Sequence, residues 1–195
     1  MFYIGNQNNP PDIIIKNGDA IEVKKIESLR SGIALNSSYP KSKLYADSSM
    51  ITRACKNCEE WEEKDIIYSI GVCQKNKLKV SWFVYGNCYA ANKEIYERIR
   101  NKISNGVNEL QNVEFAKTKE LGRVNKVDPL GITFLRVRGM WQIENPVKVF
   151  SYVTSIEEAK EFNANAIMLK EKYLSFPNND REKLEREIEE YFKRL

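Results

Sequence analysis

The chain contains no histidine. That absence excludes in one step the Ser-His-Asp hydrolases, the nucleases built on a histidine general base, and most zinc hydrolases. Cysteine is scarce, with only Cys55, Cys58, Cys73 and Cys88. Cys55 and Cys58 have the spacing of half a zinc knuckle, but the other two stand apart and do not complete it, so reduced, partly buried thiols are expected. No apolar stretch approaches the roughly 20 residues that cross a bilayer. The longest, 66–73 and 80–86, are short and broken by polar residues. The first residues, MFYIGNQNNPP, lack the basic start and long apolar centre of a secretory signal. There is no internal repeat and no low-complexity linker. With 195 residues, 42% of them hydrophobic and 30% charged, the sequence is expected to form one domain, residues 1–195, in the cytoplasm.

Net charge is only +4, but it is unevenly spread. Residues 16–56 hold eight Lys or Arg against four acids, and residues 117–148 hold seven against three, so the remainder is net acidic. Such segregation suits a basic face turned to a polyanion, although local imbalance of this size also arises without any ligand.

The most informative stretch is PDIIIKNGDAIEVKK, residues 11–25. Ile13, Ile14 and Ile15 favour a pleated strand, and Asn17-Gly18 is the strongest short hairpin signal. Glu22 and Lys24 are two apart, so a strand places both on one face and turns Ile21 and Val23 to the other. A two-residue loop would put Asp12 opposite Val23, pointing into the core. A three-residue loop over Asn17–Asp19 pairs Asp12 with Lys24, diagonal to Glu22, and brings two carboxylates and an amine together. Two oxygen ligands beside an ammonium suit Mg²⁺, which keeps several waters and binds through one or two carboxylates plus a substrate phosphate. They would equally suit an ordinary solvent-facing hairpin.

Further along, 66–73 and 78–85 read as a second hairpin with central strands. From Asn92 to Leu110 apolar residues recur every four positions, Ile95, Ile99, Ile103 and Val107, predicting a helix capped by Asn92 whose aliphatic face covers the sheet. The acidic run Glu59, Glu60, Glu62, Glu63 is expected on a solvated surface away from any anion. A turn at Asp128–Gly131 leads to ITFLRVRGM, where Arg136 and Arg138 project from one strand face, suited to guanine O6 and N7 and also to phosphate or a salt bridge to the acidic run. Trp141 is expected to pack. A helix beginning with the capping box Ser155–Glu158, a strand or helix over 164–175 and a terminal helix capped by Asp180 complete the reading.

The pattern Pro11-Asp12…Glu22-Val23-Lys24 resembles the active-site signature of the PD-(D/E)xK nucleases. Together with GNQNNPPD, GDAIEVKKIES, IALNSSYPKSKL, VDPLGIT and RVRGMW, it resembles the NgoPII group of type II restriction endonucleases from about Phe2 to Phe150. The resemblance implies an α/β fold with a mixed central sheet flanked by helices. It implies Mg²⁺ held by Asp12 and Glu22, with Lys24 serving the attacking water, and cleavage of both strands of a short G·C-rich palindrome by a homodimer, with a DNA methyltransferase as genetic partner. It also implies a helical region ahead of the first block, which this chain is expected to lack. The segment 28–49, otherwise a solvated turn around Pro40, becomes a DNA contact: Asn36, Ser37 and Ser38 as donors, Lys41 and Lys43 on the phosphates. The alternatives are a repair or recombination nuclease with the same active site, and a DNA-binding relic without catalysis.

Overall fold

The computed structural model describes residues 1–6, 9–28, 31–35, 38–118, 120–153 and 162–193. Strands β1 (Phe2–Asn6), β2 (Asn9–Ile15) and β3 (Ala20–Ile26) form an antiparallel meander. A loop region carrying the short strands β4 (Ile33–Ala34) and β5 (Lys43–Tyr45) and the single helical turn α1 (Arg53–Lys56) leads to the long strand β6 (Glu63–Gln74). β6 runs parallel to β3 and antiparallel to β7 (Lys77–Tyr85). Lys75 and Asn76 join them, both at positive φ, as a tight primed turn demands.

Helix α2 (Lys93–Asn108) follows, then the small antiparallel sheet β8 (Glu114–Phe115), β9 (Gly122–Asn125) and β10 (Leu135–Val137). Next come β11 (Gln142–Ile143), paired with β4, and the turn α3 (Pro146–Val149). Strand β12 (Asn163–Ile167) lies parallel to β7, and helices α4 (Lys170–Leu174) and α5 (Asn178–Lys193) end the chain. The main sheet reads β1-β2-β3-β6-β7-β12, with β5 also on β6, a mixed sheet flanked by helices.

The core follows from strand periodicity. Along β6, Ile66, Tyr68, Ile70 and Val72 are buried in alternation, and Val80, Trp82 and Val84 repeat the pattern on β7. Ile14 and Ala20 join them from the first hairpin. The expected second hairpin is therefore present and central. The segment expected as strand or helix contains both, β12 and then α4. The capping box at residues 155–158 lies outside the described residues.

Helix α2 corrects an expectation. It spans nearly the anticipated residues with Asn92 at its N-cap, but Ile95, Ile99 and Ile103 are 44%, 39% and 48% exposed and none of its residues is buried. It does not cover the main sheet. It rests against β9, where Ser104 Oγ donates to the Leu121 carbonyl at 2.7 Å and Val107 packs at Gly122. Apolar periodicity fixes the helix and its stripe, not the surface that the stripe meets.

Candidate active site

The β2–β3 hairpin pairs Ile13 with Ile21 and Ile14 with Ala20. Its loop has three residues, one position earlier than expected: Ile15 N–H donates to the Asp19 carbonyl at 3.1 Å and Gly18 N–H to the Ile15 carbonyl at 3.1 Å. Asn17, at φ 57°, rather than Gly18 takes the left-handed conformation, which Asn tolerates. Shifting the loop by one residue changes the register by two, and a change of two keeps every side chain on its face. Asp12 thus stands across from Glu22 instead of Lys24, and the two carboxylates still share one side of the ribbon.

That side is the covered one, which reverses the expectation for Val23. Ala20 and Ile26 flank Glu22 and Lys24 on the buried face, while Val23 is 47% exposed. The Asp12 carboxylate Oδ2 accepts the Val23 N–H at 2.7 Å, and Lys24 Nζ donates to Glu22 Oε1 at 2.6 Å. The second oxygen of Glu22, Oε2, is buried without a hydrogen-bond partner. Burial pushes the Glu22 carboxyl above the usual carboxylate range, against the pull of Lys24, and the nearby charge of Asp12 adds to the rise.

Two clamps hold the hairpin tip. Lys64, whose side chain is 7% exposed, donates from Nζ to the Ile15 carbonyl at 3.2 Å and the Gly18 carbonyl at 2.7 Å, and pairs with Glu59. Glu59 also accepts the Asn17 N–H, at 3.0 and 2.9 Å to its two oxygens. On the other side, Lys172 of α4 bridges Asp19 at 3.2 Å and Asp65 at 2.7 Å, and Tyr85 OH donates to Asp19 at 2.7 Å. The acidic run is therefore not a plain solvated surface: Glu59 fixes the turn and Glu63 pairs with Lys43. Neither role was legible in the sequence, because each depends on a partner distant along the chain.

Asp12, Glu22 and Lys24 open into a cleft of about 980 Å³, also lined by Ser38, Lys41, Lys43 and Arg138. Asn36 and Ser37 lie outside the described residues. Lys93 and Arg100 of α2 border the same cleft, cations that the helical pattern alone had not singled out. Arg136 and Arg138 both grip Glu120, Arg136 with Nε at 2.9 Å and Nη2 at 2.6 Å, Arg138 through Nε. Their face is shared, as a strand requires, but their partner is Glu120, which was not anticipated. The Glu120 carboxyl is held down to about 2 by Arg136, assisted by Arg138. Trp141 packs edge-on against Tyr96, with ring centres 5.1 Å apart.

The carboxylates fit a hard divalent cation: an unpartnered oxygen of Glu22 faces the same side as Asp12, and both are oxygen donors. Among the described residues there is no cluster of three or more His, Cys, Asp or Glu side chains able to hold a metal. The four cysteines are free thiols, Cys55 and Cys58 buried in the core and Cys73 and Cys88 partly buried. Among the described residues, no helix is long and apolar enough to cross a membrane.

No solved structure matches the chain. It is 57% identical over 180 residues to the type II restriction enzyme NgoPII of Neisseria gonorrhoeae, an alignment covering 92% of this chain and 65% of that protein. The chain thus spans about two thirds of that relative's length. The model of the NgoPII restriction endonuclease family matches residues 1–194, and the chain belongs to that family.

Proposed function

We propose that this chain is a type II restriction endonuclease that hydrolyses phosphodiester bonds in duplex DNA at a short G·C-rich palindrome. The observation that carries the reading is the buried, unpartnered Oε2 of Glu22 beside Asp12 and Lys24 at the floor of a cleft edged with cations. Asp12 and Glu22 hold Mg²⁺, which, when bound, polarises the phosphate and acidifies a water.

The chain's own residues do the rest. Asp12 is steadied by the Val23 N–H, so its carboxylate is oriented by backbone. Lys24 fixes one oxygen of Glu22 and leaves the other for the ion. Its amino group, with the side chain 25% exposed, reaches the cleft, where the ammonium would orient the attacking water and offset charge on the phosphorane and only the neutral amine would take that water's proton. The water oxygen bonds to phosphorus, and the bridging oxygen leaves with a proton.

Ser38, Lys41 and Lys43 follow the DNA backbone, with Asn36 and Ser37 beside them in sequence. Arg136 and Arg138, held by Glu120 in the free chain, read guanine from the major groove once DNA displaces that carboxylate. A palindromic site calls for a homodimer, because two-fold DNA symmetry is matched by two-fold protein symmetry. A methyltransferase protecting the same site, and a cytoplasmic location with the DNA, complete the proposal. The test is digestion of a mixed-sequence plasmid with Mg²⁺ followed by sequencing of the ends. Discrete fragments with one common end sequence support restriction. A smear points instead to a repair-type nuclease, and site-selective binding without cleavage to a DNA-binding relic.

A further inference from the structure

Among the lysines of the cleft Lys41 is the buried one; Lys93, which also meets only an aromatic face, that of Tyr45, is half-exposed. Lys24 is bonded to Glu22 and Lys43 is paired with Glu63. Lys41 is only 9% exposed, yet among the described residues its Nζ has neither a hydrogen bond nor an ion pair, only the face of Tyr39 at 4.2 Å from the ring centre. The stem of the side chain is buried, whereas Nζ itself keeps contact with the open cleft. Its donors are therefore free for an anion that enters there.

The placement is rigid. Lys41 N–H donates to Tyr68 OH at 2.7 Å, and that tyrosine comes from the middle of β6. The Lys41 carbonyl lies so close to Gly86 that a Cβ there would sit 2.3 Å from it, so only glycine lets the loop seat this deeply. Lys41 and Glu22 meet at one small space. A cavity of about 20 Å³, roughly one water's worth of space, is lined by both residues with Ser38 and Tyr68. Burial lowers the proton affinity of Lys41, and the field of Glu22 partly restores it, which agrees with an ammonium near that carboxylate but not bonded to it.

We propose that Lys41 is a second active-site cation, whose ammonium binds a non-bridging oxygen of the phosphate that Asp12 and Glu22 address. This rests on the nuclease reading above and adds to it. Lys41 becomes a catalytic group at the scissile phosphate rather than one of several backbone contacts, and Lys43, turned to Glu63, does not share the role.

The test compares wild type, Lys41→Met and Lys41→Arg on a mixed-sequence plasmid with Mg²⁺, and on fragments of that plasmid with Ca²⁺, which keeps the DNA uncut. Expected for Lys41→Met is a loss of about 10²–10³-fold in single-turnover cleavage, the scale of removing one donor to transition-state charge, with affinity reduced less than tenfold. The slope of log affinity against log salt should fall by about 0.9, as it does when one phosphate is no longer neutralised by the protein. A residue that merely packs would leave that slope unchanged. Lys41→Arg should keep the slope and recover much of the rate, and Lys41→Gln replaces the methionine variant if that one does not fold.

Lys41→Met cleavage within threefold of wild type overturns this inference and leaves the reading of Asp12, Glu22 and Lys24 intact. Binding without cleavage by wild type removes that reading, and the salt slope then decides for or against Lys41 alone. Neither binding nor cleavage by wild type removes both.

Discussion

Lys24 Nζ lies 2.6 Å from Glu22 Oε1, while the other oxygen of that carboxylate is buried with no partner. The site is half satisfied from within the chain. Under the proposed function a divalent ion and a phosphate would supply the other half, and that asymmetry has measurable consequences.

Stability should respond to metal through Glu22. Its carboxyl is raised by burial, so the folded chain binds the proton more tightly than the unfolded one, and folding is disfavoured as pH rises through that raised value. Without metal at neutral pH, Glu22→Gln should therefore melt at or above the wild-type temperature. With Mg²⁺ or Ca²⁺ at about 100 times its dissociation constant, wild type should gain about 2.7 kcal/mol by mass action, and Glu22→Gln should gain almost nothing. Thermal melts with EDTA and with each ion check this.

The turn clamp should matter more than its distance from the chemistry suggests. Lys64→Met leaves the Ile15 and Gly18 carbonyls and the Glu59 carboxylate without their shared donor. A bond to a charged group contributes about 1.5–3 kcal/mol. The melting temperature should fall by about 2–4 °C for each kcal/mol in a chain of this size. Amide exchange at Asn17 and Gly18 should rise at the same time, and a melt with no change would show that the tip is held without Lys64.

Glu120 makes a pH-dependent contribution with a defined sign. Its folded value of about 2 lies below the ordinary 4.5, so the stabilisation is complete above about 4.5 and is lost as pH falls toward 2. Wild type should lose stability over that window more steeply than Glu120→Gln. At neutral pH the same substitution frees Arg136 and Arg138, and affinity for random duplex should rise together with its salt dependence. Equal acid melts for the two proteins would contradict this account of the arginine pair.

The exposed stripe of α2 and the sheet core should separate cleanly. Ile99→Ser should change stability by no more than about 0.5 kcal/mol, as for surface positions. Trp82→Ala, at a fully buried residue, should cost about 3–5 kcal/mol. Urea unfolding distinguishes the two, and a large loss at Ile99 would mean that its face is covered in solution.

These contrasts mark how far the sequence could be read. Strand alternation and turn chemistry announced β6 and β7, and Asn17-Gly18 announced the first hairpin, because those signals are local. The convergence of Asp12, Glu22 and Lys24 was legible through parity: a shift of two in register leaves faces unchanged. What α2 packs against, which acids grip Lys43, Lys64 and the two arginines, and the burial of Lys41 were not legible. Glu59 stands only five residues before Lys64, but the others are set by residues well removed in the chain, and neither periodicity nor composition carries that information.

On the proposed function, Asp12 and Glu22 together hold one divalent ion while Lys24 acts beside it. Mn²⁺ binding followed by electron paramagnetic resonance tests this without requiring a substrate. Wild type and Lys24→Ala should each bind one ion per chain, and Asp12→Asn and Glu22→Gln should lose it. Ion binding undiminished in both carboxylate variants would contradict the account.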